Sequence, residues 1–204
     1  VQVVGKLPLA GAARFCDFAV LGAHKFYGPK GVGALLARRA HPLVPLLHGA
    51  TQEGANRAGT HNVAGIVGLA VALNRADDDR VREAPRLARL RDLLFTLVRE
   101  SVDGVHRNGS TTAVLANTLN LSFDGCPSFE LCAEMDRLGF AVSAGAACLS
   151  GSVAPSANLL AMGLPESRAR TSVRVSLGHS TTEHAIREAA EAFGRAAAIV
   201  RKGT

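Results

Sequence analysis

The sequence is poor in the aromatic residues that nucleic-acid-binding proteins use. Its 204 residues include no tryptophan and one tyrosine, and the net charge is +6. The lysines and arginines are scattered along the chain, and few aromatic rings are available to stack on bases. We therefore expect no nucleic-acid partner, although the positive charge would suit an acidic protein partner.

Paired cysteines and long apolar runs are also missing. The four cysteines form neither a CxxC pair nor the Cys/His spacing of a zinc site, so we expect no metal ion. No signal peptide is recognisable, and no apolar run reaches the roughly 20 residues that cross a bilayer. These absences predict a cytoplasmic protein with free thiols and no membrane partner.

What remains is an ordinary globular composition, with 48% hydrophobic and 20% charged residues. The chain opens on the apolar segment 1–8 without an initiator methionine, as we expect of the interior of a larger protein. Short apolar runs at 15–21 and 32–37 predict buried strands of an α/β sheet. The acidic run 77–79 interrupts the helical spacing of apolar residues over 66–74, and we place a domain boundary near 78–80.

The second half of the sequence predicts an α+β domain. An apolar stripe from Leu87 to Val98 predicts a helix, and 119–123 reads as a strand. A second helix starts near Ser128 and stops at Gly139. The last helix is predicted to start at a capping box formed by Ser180 and Glu183, and to bury the apolar residues Ile186, Ala190, Phe193 and Ala197.

One lysine is a candidate for covalent chemistry because of its surroundings. The segment 22–31 reads Gly-Ala-His-Lys-Phe-Tyr-Gly-Pro-Lys-Gly and follows an apolar run. A lysine that forms an imine needs a fixed, partly desolvated position, and a strand end closed by a turn provides one. Lys25 is thus a candidate Schiff-base lysine, although by composition alone such a lysine is more often a solvated surface residue.

Two more residues are candidates for chemistry, each with a plainer alternative. Cys148 lies in a run of Ala, Gly and Ser that is typical of an exposed loop, but a cysteine among small residues is also a common buried filler. Arg174 alternates with Val173 and Val175 on a predicted strand and lies on the other face. It is either a solvent-facing arginine or a guanidinium that binds a carboxylate.

The sequence resembles the cysteine desulfurases, which are pyridoxal-phosphate enzymes of the NifS/IscS type in aminotransferase class V. Four ordered blocks carry the resemblance and cover nearly the whole chain: 17–60 around Lys25, Arg-Ala-Gly-Thr at 57–60, Ser-Ala-Gly-Ala-Ala-Cys at 143–148 and Val-Arg-Val-Ser-Leu-Gly at 173–178. The resemblance implies fold type I, the aspartate aminotransferase-like fold. Residues 1–79 would be the C-terminal part of a truncated large domain, and 80–204 the small α+β domain.

The resemblance also implies a role for each matching residue. Lys25 would hold pyridoxal 5'-phosphate and move the substrate's Cα proton, and Cys148 would be the sulfur nucleophile on a loop of the long class. Arg174 would bind the substrate carboxylate. The loop that ends at Thr60 would reach the cofactor of the neighbouring subunit of a homodimer. The cofactor-binding residues it implies are Gln2, Gly22, Ala23, His24, Lys25 and Thr60.

The implied reaction removes sulfur from L-cysteine and leaves L-alanine and an enzyme persulfide. The persulfide would pass to a sulfur-acceptor protein such as an iron–sulfur scaffold or a tRNA-thiolation protein. Selenocysteine lyase, the nearest alternative enzyme, shares the lysine and the Gly-Ala-Ala-Cys segment at 145–148, and relative activity on the two amino acids would separate the two enzymes. A non-catalytic fragment or paralogue that acts in dimer or scaffold binding is the alternative outside enzymes.

Several parts of the family pattern are not in this sequence. The aspartate that keeps the cofactor's pyridine nitrogen protonated would lie three residues before Gln2. The upstream threonine, histidine and asparagine of the cofactor and substrate sites are absent as well, and Gly22 stands where many relatives carry a hydroxyl. We therefore expect this polypeptide by itself to have little or no desulfurase activity.

Overall fold

The computed structural model describes residues 2–9, 14–39, 41–144 and 154–203. The chain divides into two compact units, unit 1 at Val1–Glu83 and unit 2 at Ala84–Thr204. The division falls inside a helix rather than in a loop. No helix of the described residues is both long and apolar enough to span a membrane.

Unit 1 is built from a small sheet, two 3-10 turns and the first part of a long helix. Strand β1 (Phe18–Gly22) pairs antiparallel with strand β2 (Gly33–Ala37). A 3-10 turn, Ala23–Phe26, follows β1, and a second, Gln52–Ala55, precedes helix α1 (Val63–Ser101). The two predicted strands are therefore present and adjacent.

The strands of unit 1 are less buried than the sequence predicts. Phe18, Val20, Leu35 and Leu36 are each about half exposed. Phe18, Val20 and Leu35 share one face of the hairpin, since cross-strand partners point to the same side. The prediction of buried strands is wrong for the described residues. A two-stranded sheet is too small to bury the side chains on both of its faces, so these apolar residues remain half exposed.

Helix α1 continues where the sequence predicted a break. The acidic run 77–79 is helical, and two of its aspartates support the helix through ion pairs with arginines three residues on, Asp77–Arg80 at 3.2 Å and Asp79–Arg82 at 2.9 Å. The predicted apolar face is also wrong in part, because Ile66, Val67 and Val71 are exposed. The core of unit 1 instead contains Val4, Ala23, Phe26, Leu69 and Ala76.

Unit 2 is an antiparallel sheet covered by helices. Strands β3 (Val105–Arg107), β4 (Thr118–Phe123) and β5 (Ser172–Ser176) lie side by side in that order. Helix α2 (Ser128–Arg137) follows β4 and is followed by Gly139, whose φ is +87°. The predicted strand, helix and helix stop are confirmed. In the part of the chain between α2 and β5 that the structure describes lie two short helices, α3 (Ala157–Ala161) and α4 (Glu166–Arg170).

Helix α5 (Glu183–Gly203) closes the core of unit 2 and packs against α2. All four apolar residues predicted for its inner face are buried, and the Phe193 ring stacks on Phe123 with 5.3 Å between centroids. Its N-terminal cap differs from the prediction. Thr182 Oγ1, not Ser180, accepts a hydrogen bond from the backbone N–H of Ala185 at 3.1 Å, because the helix begins directly after Thr182.

Candidate functional site

Lys25 lies on the 3-10 turn that immediately follows β1. The apolar strand ends at Gly22, and the backbone N–H of Ala23 donates to Val32 O at 3.1 Å, which closes the loop between the two strands. Ala23 and Phe26 point into the core of unit 1, whereas His24 and Lys25 are exposed. The turn thus anchors its first and last residues and presents the two between them to the surface.

The turn brings His24 and Lys25 to the same place. A Cβ atom built at Gly22 would lie 3.3 Å from the imidazole Cε1 of His24 and 3.9 Å from Cγ of Lys25. On a strand, consecutive side chains would point to opposite faces. The 3-10 geometry removes that alternation, so both side chains lie beside Gly22, and the His24 ring crowds the position that a Cβ of residue 22 would take.

The turn also fits tightly against helix α1. A Cβ at Gly28 would lie 2.9 Å from Cβ of Ala23 and 3.1 Å from Cβ of Ala72 on the helix. The preceding residue, Tyr27, has a φ of +67°, which is unusual for a residue with a side chain. These contacts fix the backbone around Lys25 because little space is left for it to shift.

Two other predicted cofactor residues lie elsewhere in unit 1. Gln2 is exposed in the N-terminal segment, and Thr60 is exposed on the loop before helix α1. In that loop the Gly59 N–H donates to Gln52 Oε1 at 3.3 Å. Their assignment as cofactor contacts remains a prediction.

Arg174 lies in the middle of β5 in unit 2. The strand register places it opposite Asn120 on one side, and on the other its backbone pairs with Ser143 through hydrogen bonds of 2.7 and 3.1 Å. The predicted alternation holds, since Val173 and Val175 are buried in the core. The Nε atom of Arg174 is buried and has no hydrogen-bond partner among the described residues. A buried donor without a partner is costly, and a bound carboxylate would satisfy it.

The cysteines differ in exposure. Cys148 lies outside the described residues. Of the three free cysteines that the structure describes, Cys16 is exposed and Cys126 is buried. Burial raises the pKa of Cys126, and it raises the pKa of the Cys132 thiol to about 11. Cys126 and Cys132 are therefore protonated at neutral pH, which makes them poor nucleophiles.

Sequence reasoning missed two contacts beside the predicted residues. The backbone of Ser143 pairs with that of Arg174, which connects the segment before Cys148 to strand β5. No local sequence pattern predicts such a bridge. The ammonium of Lys6 donates a hydrogen bond to the backbone O of Lys25 at 3.4 Å. Its only sequence signal is its position between Gly5 and the apolar Leu7.

Comparison with protein-family models gives one match. Residues 1–188 match the family described as aminotransferase class-V. Among curated proteins, the cysteine desulfurase IscS of Dictyoglomus turgidum is 40% identical over 183 residues, which are 90% of this chain and 46% of that protein. The IscS-like cysteine desulfurase of Mycobacterium tuberculosis is 42% identical over 204 residues, or 99% of this chain and 52% of that protein. The chain spans about half the length of these relatives.

Comparison with solved structures also finds NifS-like proteins. A NifS-like protein superimposes with a TM-score of 0.84 at 32% identity, over 96% of this chain and 50% of that one. A NifS-like protein from Rickettsia africae also gives 0.84, at 27% identity, over 96% and 51% of the two chains. SspA, solved in complex with cysteine, gives 0.62 at 33% identity over 86% and 48%.

Proposed function

Because the chain belongs to the aminotransferase class-V family and has its type I fold, we propose that it is about half of a pyridoxal-phosphate-dependent cysteine desulfurase, the half that carries the cofactor lysine and the sulfur nucleophile. The observation that carries this proposal is the Lys25 turn. It exposes the side chains of His24 and Lys25 next to each other, directly after the strand that ends at Gly22.

The residues present fit the cofactor. Pyridoxal phosphate needs an amine that reaches its aldehyde carbon, and the Lys25 side chain is exposed at the end of a strand. Ala23 is buried beneath the turn, so the exposed side chain next to Lys25 that could meet the cofactor is the imidazole of His24. When bound, pyridoxal 5'-phosphate takes up the electron pair that is released at the substrate's Cα. His24 would contact the cofactor or support the lysine, and Gln2 and Thr60 would bind its polar groups.

Lys25 would have two duties. Its amine would hold the cofactor before substrate arrives, and once released it would accept the Cα proton of the substrate and return it. Both duties need an Nζ atom whose position is set by its backbone. The packing of the Lys25 turn between the core of unit 1 and Ala72 of helix α1 supplies that fixed backbone.

Arg174 would bind the carboxylate of L-cysteine. The planar guanidinium donates two parallel hydrogen bonds to a carboxylate, and the partnerless Nε of Arg174 is one of the donors that such a pair uses. The relative SspA, solved with cysteine, supports cysteine as the substrate.

Cys148 would accept the sulfur. Its thiolate would attack the sulfur of the bound cysteine and keep it as a persulfide, and the remaining three-carbon unit would leave as alanine. The buried, protonated thiols of Cys126 and Cys132 are unsuited to that role.

The setting of the reaction is part of the proposal. We place the protein in the cytoplasm as a homodimer, with the loop that ends at Thr60 turned toward the partner's cofactor. The persulfide would be handed to an iron–sulfur scaffold or a similar sulfur acceptor. The resemblance to the family supports these assignments.

The proposal is tested by the absorption of the purified chain mixed with pyridoxal 5'-phosphate, with Lys25→Ala as the control. We expect a band of protein-bound cofactor at the edge of the visible range in the unmodified chain and its loss in the variant. Equal bands in both would contradict the assignment of Lys25. No band in either would contradict cofactor binding by this half.

If the band forms, alanine release from L-cysteine is measured next, with Cys148→Ser as the comparison. We expect little alanine from this chain by itself, and whatever is released should be lost in the serine variant while the cofactor band is retained. Release that does not depend on Cys148 would contradict its role as the nucleophile. Faster turnover of selenocysteine than of cysteine would favour the lyase.

A further inference from the structure

Lys6 is held in a fixed turn next to the turn that carries Lys25. The backbone N–H groups of Lys6 and Leu7 both donate to Val3 O at 3.0 Å, which closes the segment into a turn. A Cβ at Gly5 would lie 3.2 Å from Cβ of Ala76 on helix α1, so this turn is pressed against the helix. Its geometry leaves Lys6 little freedom of backbone position.

The two turns share one core. Val4 is fully buried and packs in the same hydrophobic cluster as Ala23 and Phe26, the first and last residues of the Lys25 turn. The Lys6 side chain is partly buried, and its ammonium nitrogen lies 3.4 Å from the carbonyl oxygen of Lys25. The last carbonyl groups of a helical turn lack intrahelical partners, and a cation there is favourable.

We propose that Lys6 is a positioning residue for Lys25: the hydrogen bond from its ammonium to the Lys25 carbonyl holds the backbone from which the cofactor lysine projects. The inference rests on the proposed function, since it assumes that Lys25 binds the cofactor. It adds a residue that reaches the site through the backbone of Lys25.

Partial burial of Lys6 supports this role. Burial lowers the pKa of Lys6, which means that the folded chain bears a cost for keeping an ammonium there. A leucine or methionine would cover the same apolar surface without that cost. Such an apolar residue would, however, lack the hydrogen-bond donor that the Lys6 ammonium supplies.

The test compares Lys6→Met, which keeps the length of the side chain and removes the donor, with Lys6→Arg, which restores a donor. Lys30→Met is the matched control, because Lys30 is an exposed lysine in the connection between β1 and β2 that also contains Lys25. Two readouts are taken on the full chain: amide hydrogen exchange of residues 23–28, and the fraction of each lysine that pyridoxal 5'-phosphate labels after reduction with borohydride.

We expect Lys6→Met to speed exchange in residues 23–28 and to slow labelling of Lys25 roughly fivefold, the ratio that the loss of one ordinary hydrogen bond corresponds to. Lys6→Arg should restore both values, and Lys30→Met should leave both unchanged. Labelling of Lys202 should not change in any variant. If Lys6→Met only weakened the fold, its melting temperature would fall. Lys6→Arg would then not selectively restore slow amide exchange at residues 23–28.

Three outcomes would overturn one proposal or the other. Unchanged exchange in residues 23–28 of Lys6→Met overturns the positioning role, whatever the labelling shows. Preferential labelling of Lys25 that persists unchanged in Lys6→Met also overturns it. Labelling without preference for Lys25 in the unmodified chain contradicts the proposed function, and the exchange data then decide the role of Lys6 independently.

Discussion

At the scale of single residues, the carboxylate of Asp92 in unit 2 pairs with two arginines. Asp92 accepts two hydrogen bonds of 2.9 Å from the largely buried Arg91 and one of 3.1 Å from Arg107. Hydrogen bonds from Arg91, with the added charge of Arg107, hold the pKa of Asp92 below its usual value. One carboxylate therefore pairs with two guanidinium groups, and its ionised form stabilises the folded state.

Replacing Asp92 with asparagine should destabilise the chain at pH 7 and make little difference at acid pH. A carboxyl whose pKa is lower in the folded than in the unfolded state stabilises above the unfolded pKa of about 4, and this contribution is lost as the pH falls through the folded value. Asp92 is half exposed, so the effect at pH 7 should stay below about 1 kcal/mol. Urea unfolding at pH 7 and pH 3 measures it.

The control for Asp92→Asn is Glu166→Gln, which removes the exposed pair of Glu166 and Arg170 on one short helix. That substitution should change the free energy of unfolding by only a few tenths of a kcal/mol. An equal loss of stability in Asp92→Asn at both pH values would refute the electrostatic explanation.

At the scale of elements, the Lys25 turn depends on small residues where it meets helix α1. Gly28 lies against Ala23 and Ala72 with no space for a methyl group. Periodicity identified the strand before this turn, but it could not show that a glycine here is needed for close packing. That requirement comes from a helix that follows some 40 residues later in the chain.

Gly28→Ala should destabilise the chain by roughly 1–3 kcal/mol, because the added Cβ overlaps backbone and short side chains that cannot move aside. Gly194→Ala is the control, and its expected effect on stability has the opposite sign. Gly194 lies in helix α5 with open space at its Cβ position, so alanine should stabilise the chain by about 0.5–1 kcal/mol through helix propensity. Thermal unfolding of both variants checks the two signs. Equal effects would show that contact at Gly28 is not the cause.

At the scale of the whole chain, the two units have cores of different size. Among the described residues, the core of unit 1 contains Val4, Ala23, Phe26, Leu69 and Ala76. The core of unit 2 is larger and combines three strands with parts of three helices. Since the stability of a unit grows with the apolar surface it buries, unit 1 should be the less stable of the two.

Amide hydrogen exchange followed by mass spectrometry should therefore show slow exchange in β4, β5 and α5 and fast exchange in β1 and β2. A two-stranded sheet with an exposed face opens readily, whereas Leu119, Leu121 and Phe123 of β4 are almost completely buried. Phe193→Ala should raise exchange throughout unit 2 and leave β1 unchanged. Equal protection of β1 and β4 would contradict this ranking.

The sequence by itself determined the family and, in unit 2, strands β4 and β5 and helices α2 and α5, and it named the candidate residues for the chemistry. Ordered motifs and apolar periodicity are local along the chain, so they survive without any knowledge of contacts. Only the tertiary structure decided that His24 and Lys25 meet at Gly22 and that Ser143 lies beside Arg174. It also decided that Thr182 caps α5, that α1 runs through its acidic segment, and that Lys6 reaches the Lys25 carbonyl. Each of these depends on backbone geometry or on the approach of distant segments, which no pattern of neighbouring residues encodes.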